Sequence, residues 1–273
     1  MTPVSQAGLR AAIRALGLSM LPLEVHSSLR SFGWVDGGAD AVIDALLVEG
    51  CTLLVPTFSD VYFVHPLPHQ RPGRNATNYD RTLPPAPGAD RTFTPDSNEI
   101  DVRDMGIVPA TVLRRSGRIR GNHPVMSFSA IGPLAHDIID GQAPQAVYAP
   151  LAALVEHGGW VVMMGVGLTE MTFLHYAEQL AGRTPFVRWA NGLDGTPMEV
   201  QYGGCSNGFE AFTPVLAHLE QRATAGQSLW RAYPARKALD AAINAIQKDP
   251  YITYCADRCG RCADAIAGGP ILA

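Results

Sequence analysis

The sequence predicts a layered α/β fold around a mostly buried sheet, and three observations predict it. Short apolar runs alternate with amphipathic stretches along most of the chain. The runs are continuous rather than alternately apolar and polar, which is the pattern of strands buried on both faces. Hydrophobic residues make up 47% of the 273 residues and charged residues 17%, enough apolar material for one large core and too little charge for disorder.

The elements follow in order. Ser5 caps a first helix in which Leu9, Ile13 and Leu16 recur at helical spacing, and Gly17 stops it. Residues 21–25 form an apolar run that breaks off at His26, Ser27, Ser28 and Leu29. Residues 39–47 read as a helix and 52–55 as a buried strand. Residues 105–115 read as helical, 125–130 as extended, 150–157 as helical and 160–164 as another buried strand. A helix at 172–182 and a polar strand near 198–203 come next, then helices near 207–222 and 236–247 and a Cys-rich tail. Residues 64–99 fit neither period and hold seven prolines, so they read as an inserted loop, either a floppy insertion or, favoured by Tyr79 and Phe93, a lid over a ligand cleft. The chain therefore reads as a single domain over 1–273 with that insertion, its portion 200–273 carrying a Cys-rich subdomain.

Charge and cysteine usage exclude several classes. With 21 Lys+Arg against 25 Asp+Glu the net charge is −4, which argues against nucleic acid and suits a small neutral or cationic ligand. Arg10 and Arg14 interrupt the first helix, so it does not read as a signal peptide, and no stretch approaches the ~20 apolar residues of a membrane span. Five unevenly spaced cysteines do not form a secreted disulfide framework, and the expected compartment is the cytoplasm.

Three constellations can carry chemistry. His26, Ser27, Ser28 and Leu29 lie where a strand ends, the position at which open α/β sheets bind ligands; alternatively the serines only satisfy turn backbone. Thr172, His175 and Glu178 are spaced three apart on a helix and share one stripe. A carboxylate beside an imidazole fixes its tautomer, as a general base requires, and a solvated polar face is the plainer alternative. Cys255, Cys259 and Cys262 supply three thiolates that Cys205 completes to four, the donor set of structural zinc, against a cluster of free or redox-active thiols. The arginines at 114, 115, 118 and 120 form a basic cluster that reads as a helix end or as an anchor for cofactor phosphates.

Five stretches in register carry a resemblance: VHSSLRSFGWVDGGADAVIDALL from Val25, TLLVPTFS at 52–59, NHPVMSFSAIGP at 122–133, APLAALVEHGGWVVMMGVG at 149–167 and TFLHYAE at 172–178. Together they resemble the aminoglycoside 3-N-acetyltransferase family, the antibiotic N-acetyltransferases outside the GNAT fold. Residues 60–105 match less well and the C-terminal third only loosely. The resemblance implies a layered α/β/α sandwich with a mixed sheet plus a smaller subdomain, and acetyl-CoA as donor. It implies His175 as general base, with Glu178 orienting it and Thr172 beside it. His26, Ser27, Ser28 and Leu29, with Thr57, Ser127, Phe128 and Ser129, would line the acetyl-CoA channel. A polycationic acceptor would need carboxylates, for which Asp60, Asp80, Glu170 and Glu210 are candidates.

The function expected is transfer of acetyl from acetyl-CoA to a primary amine, the 3-amino group of an aminoglycoside, with monomer and homodimer both open. Three alternatives stand beside it: an N-acetyltransferase for another amine in biosynthesis, a non-catalytic zinc-stabilised CoA or small-molecule binder, and a serine hydrolase using Ser27 or Ser28. The hydrolase lacks the G-x-S-x-G elbow.

Overall fold

A computed structural model describes residues 3–79, 81 and 85–272. Its centre is a seven-stranded mixed sheet. The strands are β1 (Pro22–Ser27), β2 (Thr52–Pro56), β4 (Ile119–Arg120), β5 (Phe128–Ile131), β6 (Trp160–Met164), β9 (Gln221–Ala225) and β10 (Ser228–Pro234). They lie side by side in the order β4-β5-β2-β1-β6-β10-β9. β1 runs parallel to both β2 and β6, and the remaining pairs are antiparallel. A second sheet, β3 (Phe63–Val64), β7 (Phe186–Asn191) and β8 (Pro197–Tyr202), is antiparallel throughout.

Successive strand residues point to opposite faces, so the three central strands feed two cores. Leu23, Val25, Leu53, Val55, Val162 and Met164 pack under α1 (Gln6–Ala15) and α2 (Gly38–Val48). Leu54, Val161 and Met163 join the other core, closed by three further helices, α5 (Ala135–Ile139), α6 (Ala149–Glu156) and α9 (Ala235–Lys248). This is the expected α/β/α layering. The Ser5 cap is present, its Oγ accepting the Gly8 N–H at 3.3 Å. Short helices α3 (Val102–Met105) and α4 (Ile107–Arg114) flank the cleft, and α7 (Phe173–Leu180) follows β6. No helix among the described residues is long and apolar enough to cross a membrane.

The C-terminal region departs from the expected pattern. Residues 207–222 do not form one regular helix: a 3-10 turn (Phe209–Phe212), one-turn α8 (Thr213–Leu216) and a second 3-10 turn (Ala217–Leu219) follow one another before β9 begins at Gln221. β9 and β10 form a hairpin through Gly226 (φ 60°) and Gln227, a two-residue turn that needs a left-handed first position. Within 200–273, β9, β10 and α9 complete the main sheet and its outer layer. Only the second sheet and the tail beyond α9, including α10 (Gly260–Ile266), stand apart from it.

Of the described residues within 64–99, none lines the cleft. They strap across the second sheet: Asn75 bonds both ways with the Val187 backbone, and Asn191 donates to the carbonyls of Gly88, Ala89 and Arg91. The arginine cluster serves the same strap. Arg118 and Arg120 donate to carbonyls of residues 95–99, while Arg115 pairs with Asp40 and Asp44. The donors of Arg115, Arg118 and Arg120 are thus taken up within the protein, and none of the three lines the cleft.

Candidate functional site

The C-terminal ends of the parallel strands β1, β2 and β6 open into one cleft of about 1050 Å³. β1 contributes His26 and Ser27, and Ser28, Leu29 and Arg30 follow it. Pro56, Phe58 and Asp60 come from the exit of β2, and Gly165 to Thr172 from the exit of β6. One wall is α3 and the start of α4, with Arg103, Asp104 and Gly106. The other is Tyr202, Gly203, Gly204 and Ser206 leaving β8.

His175 lines this cleft from the first turn of α7. Its Nδ1 stands 2.7 Å from Glu178 Oε2, and both side chains are buried. Three-residue spacing on a helix brings the two together, as the sequence predicts. Arg183 donates to the other Glu178 oxygen. The Phe209 ring centroid lies 4.7 Å from that of the imidazole, an apolar neighbour on one side of the pair. Thr172 lines the cleft at the foot of α7 and makes no capping bond.

Of the expected donor-channel residues, His26, Ser27, Ser28 and Leu29 line the cleft. Thr57, Ser127, Phe128 and Ser129 do not, and this corrects the expectation. Phe128 is core, in edge-to-face contact with Phe58. Thr57 donates to the Ser127 carbonyl at 2.9 Å and lies 3.0 Å from Ser129 Oγ, while Arg120 donates to Ser127 Oγ at 2.8 Å. A buried hydroxyl needs partners, and these hydroxyls find them in each other between β2 and β5. Val125 and Met126 of the same stretch line the cleft instead.

Among the carboxylates, Asp60 and Glu170 line the cleft. Burial, and then the charges of Asp101 and Asp104, raise the Asp60 carboxyl above the usual range against the opposing Arg188 and Arg261. Glu210 is turned away: it accepts the Leu168 N–H at 2.6 Å and the Thr213 hydroxyl at 3.2 Å, fixing the loop before α7. Asp80 lies outside the described residues.

The four cysteines come together, their sulfurs all within 4.8 Å of one another. A tetrahedral Zn–S₄ centre with bonds of about 2.3 Å has sulfurs about 3.8 Å apart, so the four fit such an ion with little movement. Cys255 Sγ accepts the Cys259 N–H and Cys259 Sγ accepts the Cys262 N–H, each at 3.5 Å. The first of these bonds holds the Cys255 thiol down to about 7, while burial pushes Cys205 and Cys262 up. The donor set suits a soft cation and leaves no open ligand position for chemistry.

Several site residues escape the sequence reading. Arg183 is five positions from Glu178 and past the end of α7, so no helical spacing points to it. Glu24, hidden in an apolar run, is buried 3.1 Å from His26 Nε2. Its position two before His26 on one strand was the available signal. Arg261 reaches the cleft from the tail, its guanidinium 6.0 Å from the Tyr202 ring centroid.

A family model described as aminoglycoside 3-N-acetyltransferase matches residues 25–247. The aminoglycoside N(3)-acetyltransferase IX of Micromonospora chalcea is 32% identical over 187 residues, and the chain spans 63% of that relative's length with 66% of its own. A prophage-derived aminoglycoside N(3')-acetyltransferase-like protein of Bacillus subtilis is 29% identical over 206 residues, 73% of this chain and 72% of that one. In three dimensions the fold is similar to a crystal structure of aminoglycoside acetyltransferase AAC(3)-IVa, a histidine-to-alanine mutant in complex with a gentamicin. The TM-score is 0.76 at 26% identity, and 98% of each chain is covered.

Proposed function

The chain belongs to the aminoglycoside 3-N-acetyltransferase family, and on that premise we propose that it transfers acetyl from acetyl-CoA to a primary amine of an aminoglycoside, with His175 as general base. The observation that carries this reading is the His175–Glu178 pair at 2.7 Å, opening on a cleft large enough for two substrates. With Nδ1 committed to the carboxylate, the other ring nitrogen accepts a proton from the acceptor. As the amine nitrogen attacks the thioester carbonyl carbon its proton passes to His175, the C–S bond breaks with its electron pair on sulfur, and the leaving thiolate takes that proton back from His175 to depart as CoA thiol. A thiolate leaves readily, so direct transfer needs no covalent enzyme intermediate. The residues after β1 supply backbone N–H groups for the developing oxyanion. Arg30 and Arg103, with the N-terminus of α4 behind Gly106, offer positive charge to the phosphates of CoA. Asp60 and Glu170 offer negative charge to an ammonium-bearing acceptor.

Thiol release from acetyl-CoA, measured across a panel of aminoglycosides and simpler amines, tests the proposal. Release with an aminoglycoside that His175→Ala lowers about 10²–10⁴-fold supports it. Release with other amines alone favours a biosynthetic acceptor, and release without any amine favours a hydrolase. Unchanged turnover in His175→Ala removes the base.

A second reading concerns the tail: Cys205, Cys255, Cys259 and Cys262 hold a structural zinc ion, favoured by four sulfurs within 4.8 Å. Bound there, zinc would join the tail to the exit of β8. Elemental analysis giving less than about half an equivalent per chain without chelator present rejects it.

A further inference from the structure

The cysteines lie on two segments, and both press against the catalytic pair from different sides. Cys205 directly follows Gly203 and Gly204. A Cβ placed on Gly204 would stand 3.6 Å from both His175 Nδ1 and Glu178 Oε2, and one on Gly203 would stand 3.5 Å from His175 Cδ2. The backbone entering Cys205 is thus laid along the imidazole and its carboxylate. On the far side, Arg183 Nη1 donates both to Glu178 Oε1 and to Thr253 Oγ1, the latter at 2.6 Å, and Nη2 donates to the Pro250 carbonyl at 2.6 Å. Thr253 is only 2% exposed and stands two residues before Cys255. Its carbonyl lies 3.9 Å from Cys262 Sγ, and a Cβ on Gly208, three residues past Cys205, would collide with that same carbonyl.

We propose that the four-cysteine cluster positions the His175–Glu178 pair, with Arg183 and Thr253 as the positioning residues that carry its constraint to Glu178. The inference rests on His175 being the base. Neither 203–208 nor 249–259 lies in a long helix or a strand, so the joined sulfurs supply the restraint that regular structure does not. A carboxylate anchored at one oxygen by a fixed guanidinium keeps the other aimed at its histidine. Small losses of aim at a reacting group cost rate rather than binding.

The test is kinetic and structural, on the whole chain as isolated. Thr253→Val should lower kcat about 10-fold with KM for acetyl-CoA within about twofold, and Thr253→Ser should restore kcat. Removing zinc with a chelator, or Cys205→Ser where no zinc is bound, should lower kcat comparably. The same treatment applied to Thr253→Val should lower it little further, because both act on one path. Amide exchange should speed up in 203–208 and 249–254 on metal removal or in Cys205→Ser, and stay unchanged in β1. Unchanged kcat in Thr253→Val, no rescue by serine, or losses that multiply would each overturn the proposal. Loss of turnover in His175→Ala alongside unaltered Thr253→Val rejects this inference alone. Full turnover in His175→Ala rejects the base assignment beneath it.

Discussion

His175 and His26 both line the cleft and both face a buried carboxylate, Glu178 at 2.7 Å and Glu24 at 3.1 Å. Behind the two acids the surroundings differ. Glu178 binds His175 through one oxygen and Arg183 through the other, so each oxygen has a partner. Glu24 lies within the central strand, fully buried, and neither oxygen has a partner in hydrogen-bond geometry among the described residues. Its approach to His26 meets the distance for an ion pair but not the angle for a hydrogen bond. Both pairs join a histidine to a glutamate at short range; what separates them is the hydrogen-bond geometry and whether the carboxylate is itself held. A held carboxylate can orient a ring, whereas an unheld buried one mainly costs stability.

The largest effect should come from the held pair. His175→Ala should reduce kcat/KM by about 10³, read by thiol release, and a loss under tenfold would break the contrast with His26. Glu178→Gln keeps the shape but removes the charge that stabilises the imidazolium, so kcat should fall about 10²-fold with acetyl-CoA KM little changed. Glu24→Leu should leave kcat/KM within about threefold and hold or raise Tm, since replacing an unpartnered buried carboxylate by an apolar group is near neutral or stabilising. A loss as large as that of Glu178→Gln would make the two pairs equivalent after all.

A third buried histidine sharpens the comparison, because it has no carboxylate. His123 Nδ1 accepts the Met126 N–H at 2.9 Å, its Nε2 has no partner among the described residues, and burial lowers its pKa to about 4. In the unfolded chain the ring titrates near its ordinary 6.5, so on acidification the unfolded state takes the proton first. Stability from this site is therefore full above about pH 6.5, falls as pH drops toward 4, and levels off below it. Tm against pH should show that slope, and His123→Gln should flatten it.

How much of this was legible in the sequence follows from the range of each interaction. Helices such as α1 and α9 and strands β1, β2 and β6 show a clean period or a clean apolar run, and they formed where expected. β7 and β10 escaped because Arg188 and Arg231 interrupt their apolar runs, although both arginines find partners in the fold: Arg188 stacks on Tyr202 and Arg231 donates to the Val166 carbonyl. Residues 207–222 mimicked a helix because Phe209, Phe212, Leu216 and Leu219 keep helical spacing, yet Phe209, Phe212 and Leu216 reach the core through separate short turns. The His175–Glu178 pair was legible because it lies within one helical turn. Thr57, Ser127 and Ser129 were misread because a hydroxyl in a strand looks alike whether it faces a ligand or another hydroxyl. Arg183, Thr253 and Arg261 join the site only through the path of the chain, which no local pattern records.

The arrangement of the sheet has a consequence for the order in which the molecule comes into being. β1 lies between β2 and β6, so residues 22–27 gain their second neighbour only once 160–164 has been made. Pairings this distant in sequence slow folding and leave early segments waiting during synthesis. The tail is made later still: Thr253 reaches back 70 residues to Arg183, and Arg74 donates to the carbonyls of Ala267 and Gly269, nearly 200 residues later. The seven strands can assemble before this latch arrives, so a nascent chain acquires its architecture before the Arg183 partner of Glu178 is fixed by Thr253.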